Sequence, residues 1–242
     1  MLKLGKTTQT TVILLVMVFF GVTLGSNEAQ SQTETNSKPS LPGKTSEASW
    51  DFDEVPEGEL PSGWKVEATN QKGSPAIWRV IKDTTAPSGD QVLALVNPPG
   101  EYGGNFNLCW MDSTTILDGE IQVSFKSIKG EVDQGGGVMW RVRDKDNYYI
   151  ARFNPLEDNF RIYHVHNGSR KKIADAKIVL PAGKWHTMKI VQQGNTYEGY
   201  INGDKLLEGT NDLFATSGGV GLWTKADAVT SFDDFSVKPL KP

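Results

Sequence analysis

Residues Glu120–Ile128 read EIQVSFKSI, and residues Gly137–Arg143 read GVMWRVR. In the first stretch Ile121, Val123 and Phe125 alternate with Gln122, Ser124 and Lys126. In the second, Val138, Trp140 and Val142 alternate with Met139, Arg141 and Arg143. Successive side chains of a strand point to opposite faces, so a period of two describes a strand with one face in a core. The same reading extends outward to Trp50–Asp53, Trp64–Ala68, Ile77–Ile81, Val92–Val96 and Phe106–Met111. Beyond the central pair it covers Tyr148–Phe153, Phe160–His166, Trp185–Val191, Tyr197–Ile201, Val220–Thr224 and Val229–Val237. No stretch in this region holds a helical period over three turns; Asn211–Ala215 is expected to form one short helical turn.

The residues between these runs agree with antiparallel pairing. Asn167-Gly168 and Asn202-Gly203 separate alternating segments, and a two-residue type I′ turn needs positive φ at both central positions. Asn167-Gly168-Ser169 also matches a glycosylation sequon, but the hairpin explains it without a glycan. Roughly a dozen strands without internal repeats imply two packed antiparallel sheets. The expected fold is all-β, a jelly-roll sandwich over residues 50–242.

Ahead of it, Lys3 and Lys6 precede the uncharged run VILLVMVFFGVTL, Val12–Leu24. A basic start and an apolar stretch of about 13 residues fit a secretory signal over residues 1–31, since a spanning helix needs about 20. The alternative is an uncleaved anchor, the one route by which a membrane enters the expected partners. Residues 32–49 are rich in Ser, Thr, Pro and Lys and poor in apolar side chains, the composition of a flexible linker. The expected location is secreted, periplasmic or at the cell envelope.

The chain of 242 residues carries a net charge of −4, the wrong sign for broad nucleic-acid binding. A single Cys, Cys109, excludes an intrachain disulfide framework and a cysteine-rich zinc site. There is no Gly-x-Ser-x-Gly elbow, His-Glu-x-x-His helix, Walker loop or Gly-x-Gly-x-x-Gly turn. Gly135-Gly136-Gly137 and Gly218-Gly219 lead into strands, so no helix N-terminus stands behind them to hold phosphate. The retaining-glycosidase pattern Glu-x-Asp-x-x-Glu is also absent, and Glu120–Ile128 carries one carboxylate, Glu120.

Three constellations remain. With Trp140 and Phe153 facing the core, strict alternation puts Arg141, Arg143, Tyr148 and Arg152 on the opposite face, joined by Trp223, one position off Leu222. Planar donors beside aromatic rings suit the hydroxyls and C–H faces of sugars; the alternative is a solvated face where Arg stems cover aromatic edges. His164 and His166 share a strand face and would chelate one divalent ion if an acid completed the set, or they are simply polar residues opposite Tyr163 and Val165. Asp51 or Asp53 in the first strand and Asp233-Asp234 in the last would supply carboxylate oxygens for calcium, or act as caps and edge charges.

Longer motifs carry a resemblance. Asp146-Asn147-Tyr148-Tyr149, Arg152, Asn154-Pro155-Leu156-Glu157-Asp158-Asn159, Tyr163 and Gly168 are similar to exported concanavalin-A-like sandwiches. So are Gly183-Lys184-Trp185-His186, Asn202-Gly203, Gly219–Asp227 and Phe232-Asp233-Asp234-Phe235. The chain resembles the 3-keto-disaccharide hydrolase-like group, also described as family-16-glycosidase-like and related to laminin-G domains, from Trp50 to Val237. That resemblance implies a carbohydrate partner and an enzyme that cleaves or hydrates 3-keto-glycosides, with no catalytic set matched residue by residue. The alternative is a non-catalytic carbohydrate-binding or adhesion module at the envelope.

Overall fold

The computed structural model describes residues 47–100 and 102–240. The signal expected over residues 1–31 and the linker up to residue 46 lie outside the described residues. Fifteen strands follow in chain order. The first seven are β1 (Ala48–Trp50), β2 (Lys65–Thr69), β3 (Ile77–Lys82), β4 (Gln91–Asn97), β5 (Phe106–Ile116), β6 (Gly119–Lys129) and β7 (Gly136–Asp144). Then come β8 (Asn147–Asn154), β9 (Asn159–His166), β10 (Ser169–Lys177), β11 (His186–Gln193), β12 (Thr196–Ile201), β13 (Asp204–Thr210), β14 (Gly218–Lys225) and β15 (Val229–Pro239). There is no helix among the described residues, and Asn211–Ala215, expected to make a helical turn, is irregular. Tyr149 OH accounts for that: it donates to Asn211 Oδ1 at 2.7 Å and accepts from Phe214 N at 3.1 Å, so the segment is pinned to β8 instead of bonding to itself.

All pairings are antiparallel. The first sheet runs β13-β12-β11-β6-β15-β4-β3, with β1 also on β15; the second runs β10-β9-β8-β7-β14-β5-β2. The inward faces of both meet in one apolar core that includes Phe125, Trp140, Phe153, Leu222, Phe232 and Phe235. Trp140 is fully buried there, and its Nε1 donates to Gln192 Oε1 at 3.0 Å across the sandwich. The arrangement is a jelly-roll-like β-sandwich.

Both Asn-Gly turns have the expected left-handed backbone: φ is 50° and 75° at Asn167 and Gly168, and 50° and 90° at Asn202 and Gly203. The strands that leave them, β10 and β13, are edges with the sequences SRKKIADAK and DKLLEGT. They escape a hydrophobic-period reading because an edge strand has little apolar surface to bury and gains solubility from charge.

Candidate functional site

The second sheet buries its outward face as well. Leu108, Met139, Ile150, Tyr163, Val165 and Trp223 belong to a second apolar cluster built entirely from that sheet. Tyr148 and Trp223 are 0% exposed within it, and Arg152 in the neighbouring row is 1% exposed. These three side chains, expected on a sugar-facing surface with a solvated face as the alternative, are buried and pack instead.

The same strands separate the expected arginines. Between Trp140 and Val142 the β7–β14 register slips by one residue, pairing Met139 with Gly221 but Val142 with Gly219. Arg141 sits in this bulge at φ 48°. One inserted residue reverses the alternation beyond it. Val142 thus joins Met139 on the outward face, while Arg141 and Arg143 leave the side of Tyr148 and Arg152. Arg141, 1% exposed, donates to the carbonyls of Leu117, Phe214 and Gly194 at 3.0, 2.6 and 2.7 Å and to Asp118 Oδ1 at 3.3 Å. It ties three loops together. Arg143 lies 6.0 Å from the Phe214 ring.

The outward face is buried because the sheet curls until its opposite edges meet. Asn70, just after β2, donates from Nδ2 to Gly168 O in the β9–β10 turn at 2.8 Å. Thr69 Oγ1 bonds the carbonyl of Lys145 and the Tyr148 hydroxyl, the latter at 2.8 Å, and Trp223 Nε1 donates to the same hydroxyl at 3.3 Å. Burial pushes the Tyr148 phenol well above its ordinary range, so it stays protonated.

Where the edges meet, a cleft of about 840 Å³ opens to solvent. Its walls include Glu67 and Asn70 from β2 and its exit, Lys72 and Tyr102 from loops, Lys145 from the β7–β8 turn and Asn167 from the β9–β10 turn. Lys72 Nζ lies 3.8 Å from the Tyr102 ring centre. Glu67 accepts from Trp110 Nε1 at 2.8 Å, and Lys145 donates to Asp146 at 2.6 Å, a bond that raises the ammonium pKa. The cleft therefore presents amides, the carboxylates of Glu67 and Asp146, two ammonium groups and an aromatic ring. None of these residues stood out in the sequence, because they come from turns and strand ends with no period. Only the Asn167-Gly168 turn and Asp146, in one of the resemblance motifs, marked its walls.

The expected metal ligands do not converge: among the described residues no three His, Cys, Asp or Glu side chains gather at one point. His164 and His166 do share a face, but His164 Nδ1 is buried without a partner and its pKa is lowered by burial, then by Lys171 and His166. The four aspartates bind the β3–β4 loop and its surroundings. Asp53 Oδ1 accepts from the backbone of Asp90 and Gln91 at 3.1 Å each, and Asp51 Oδ1 from Asp53 N at 3.3 Å. Asp233 Oδ2 accepts from Ser88 N at 3.1 Å, and Asp234 Oδ1 from Ser88 Oγ at 2.8 Å. Burial, with Asp234 adding to it, raises the Asp233 carboxyl to about 6 against the bonds from Ser88 and Asp234 N.

Comparisons with known proteins agree with this architecture. A family profile described as "3-keto-alpha-glucoside-1,2-lyase-like domain" matches residues 51–238. No curated protein matches the chain in sequence. Among solved structures, the carbohydrate binding module CBM66 from Bacillus subtilis superposes with a TM-score of 0.56 at 19% identity, over 73% of this chain and 95% of that one. A native glycosidic hydrolase gives 0.56 at 14% identity, covering 83% and 99% of the two chains. Bacillus licheniformis beta-glucanase gives 0.55 at 15% identity, covering 81% and 99%. At such identities the likeness is one of fold.

Proposed function

Since the chain belongs to the 3-keto-alpha-glucoside-1,2-lyase-like domain family, we propose that it is a carbohydrate-directed domain that takes a glycoside in the cleft between β2 and the β7–β8 and β9–β10 turns. The observation that carries this reading is the cleft itself. Its volume of about 840 Å³ lies in the range of small-ligand sites. Its lining pairs hydrogen-bonding groups with the Tyr102 ring, which is 44% exposed and carries Lys72 Nζ over its face at 3.8 Å. The 3-keto group of the family's substrates acidifies the adjacent C–H, so a turnover reading needs a base in the cleft; Asp146 is ion-paired with Lys145 there, which leaves Glu67 as the candidate.

A non-catalytic binding module is the second reading, and one observation favours it. Glu67 is held by Trp110 Nε1 and Asp146 by Lys145, so both acids at the cleft already have partners. We further propose that the protein works outside the cytoplasm, a reading supported by Lys3, Lys6 and the apolar run Val12–Leu24. N-terminal sequencing of the exported protein should begin between Ser26 and Gln32.

A panel of glycosides and 3-keto-glycosides, scored for binding by calorimetry and for product by chromatography, tests the function. Tyr102→Ala should weaken binding about tenfold without shifting the melting temperature. Product formation abolished by Glu67→Gln would establish turnover, whereas binding without product, retained in that variant, would establish the module. Unchanged affinity in both Tyr102→Ala and Lys145→Ala would place the sugar elsewhere.

A further inference from the structure

We infer that the protein holds a second sugar site, a pocket for one uncharged polyhydroxylated ring, floored by Arg141 between Asp118 and Asp212. It stands apart from the cleft, with which it shares no lining residue.

The pocket is a cavity of about 200 Å³ lined by the β5–β6 turn, the β11–β12 turn, the segment between β13 and β14, and Arg141 of β7. That is below the roughly 300 Å³ at which sites for drug-sized ligands begin, and it suits a single ring. Its mouth reaches solvent. Leu117, Asn195, Asp212 and Ala215 in the wall are exposed, Asp118 is half-buried, and Arg141 is buried at the floor. The bulge in β7 puts that guanidinium there. A φ of 48° is a conformation that a residue with a side chain keeps only when its surroundings hold it. The four hydrogen bonds of Arg141 to Leu117, Phe214, Gly194 and Asp118 do so, and they fix the floor before any ligand arrives.

Donors and acceptors both line this cavity. A guanidinium has five N–H groups, and the four bonds of Arg141 leave one open on Nη1. Asp118 receives Arg141 and Gly194 N on Oδ1, at 3.3 and 2.6 Å, so Oδ2 remains as an acceptor. Asp212 adds a carboxylate at the rim, and Asn195 an amide that serves both ways. The charges decide the ligand class. An anion offers only acceptors and would face two carboxylates. An ammonium offers only donors and would lie beside a buried guanidinium. A hydroxyl donates and accepts at once, so a ring carrying several of them serves both sets without adding charge. Leu117 and Ala215 give the apolar wall against which the C–H edge of such a ring packs.

Amide-resolved NMR titration of the purified protein tests this, with the methyl glycosides of glucose, galactose and mannose, and with glycerol, butylammonium and butyrate. At least one methyl glycoside should shift the Gly194 and Asn195 amides saturably, about tenfold more tightly than glycerol, which lacks the ring. Asp212→Ala removes an acceptor and Ala215→Trp fills the cavity from an exposed position. Each should weaken that response about tenfold or more while the melting temperature and the response of the Lys145 and Gly168 amides in the cleft stay as they were. Silence of Gly194 and Asn195 towards every methyl glycoside would overturn the pocket and leave the proposed function to the cleft amides. Retained affinity in both variants would overturn it as well. Tighter binding of butylammonium or butyrate than of any glycoside would overturn the hydroxyl assignment. A response at Gly194 with none at Lys145 or Gly168 to any glycoside would support this pocket and count against the cleft.

Discussion

At the residue scale, Trp140 and Arg141 are neighbours with opposite histories. Trp140 alternates with polar residues in sequence and fills the core in the structure. Trp140→Ala should destabilise by about 3–5 kcal/mol through lost burial and a cavity, as read by urea denaturation. Arg141 obeys the same alternation on paper, and one extra residue in the bulge turns it into a loop staple. Asp233 is a residue-scale test of pH. Its native value of about 6 stands above the ordinary 3.8, so the native state holds this proton more tightly than the unfolded chain. The resulting stabilisation is full below about pH 4 and is lost as pH rises through 6, by about 3 kcal/mol at most. The stability difference between the native protein and Asp233→Asn should shrink across that window in denaturation at pH 4, 5, 6 and 7; a constant difference would assign Asp233 an ordinary titration. Glu157 runs the other way. Burial pushes it up, but the Asn159 bond and the charges of Arg152 and Arg161 outweigh that and hold it to about 2. Its contribution is present above pH 4.5 and is lost as pH falls towards 2, outside the Asp233 window.

At the element scale, β14 shows why the glycines at its start belong to the strand. A Cβ on Gly221 would meet Trp110 Cβ at 2.4 Å and Cys109 O at 2.5 Å; one on Gly219 would meet Met111 O at 2.4 Å. Their bare backbone lets Trp110 lie against the strand and aim Nε1 at Glu67 in the cleft. Gly221→Ala should cost about 1–3 kcal/mol by overpacking and should weaken sugar binding as Trp110 is displaced. A thermal melt and a binding isotherm on the same variant check both. The edge strands β10 and β13 make the complementary point. Their turns were legible as Asn-Gly pairs, but the strands themselves carry alternating charge with little apolar content. What recruits them is pairing with β9 and β12, a non-local hydrogen-bond ladder that no window of sequence contains.

At the scale of the molecule, β1 anchors the start of the sandwich. Trp50 packs against Trp64 and Phe235 at ring distances of 5.8 and 5.5 Å, and the strand pairs with β15. Removing residues 1–46 should leave the melting temperature within a few degrees, since residues 32–46 are poor in apolar side chains, whereas removal through Trp50 should lower it clearly, because it strips the Trp50 contacts with Trp64 and Phe235. Calorimetric melts of the two truncated chains separate these outcomes. Sequence alone determined the all-β class, most strands, the core face of Trp140 and both Asn-Gly hairpins. Each rests on local chemistry: a two-residue period, or a turn that needs positive φ. The tertiary structure decided the rest. A one-residue bulge moved Arg141 and Arg143 off the face of Tyr148 and Arg152. The curl of one sheet buried that face and brought Asn70 to Gly168, so the cleft is lined by residues from β2, two turns and two loops. Register and curvature are set by the sum of distant packing contacts, and a period read along one strand carries no record of them.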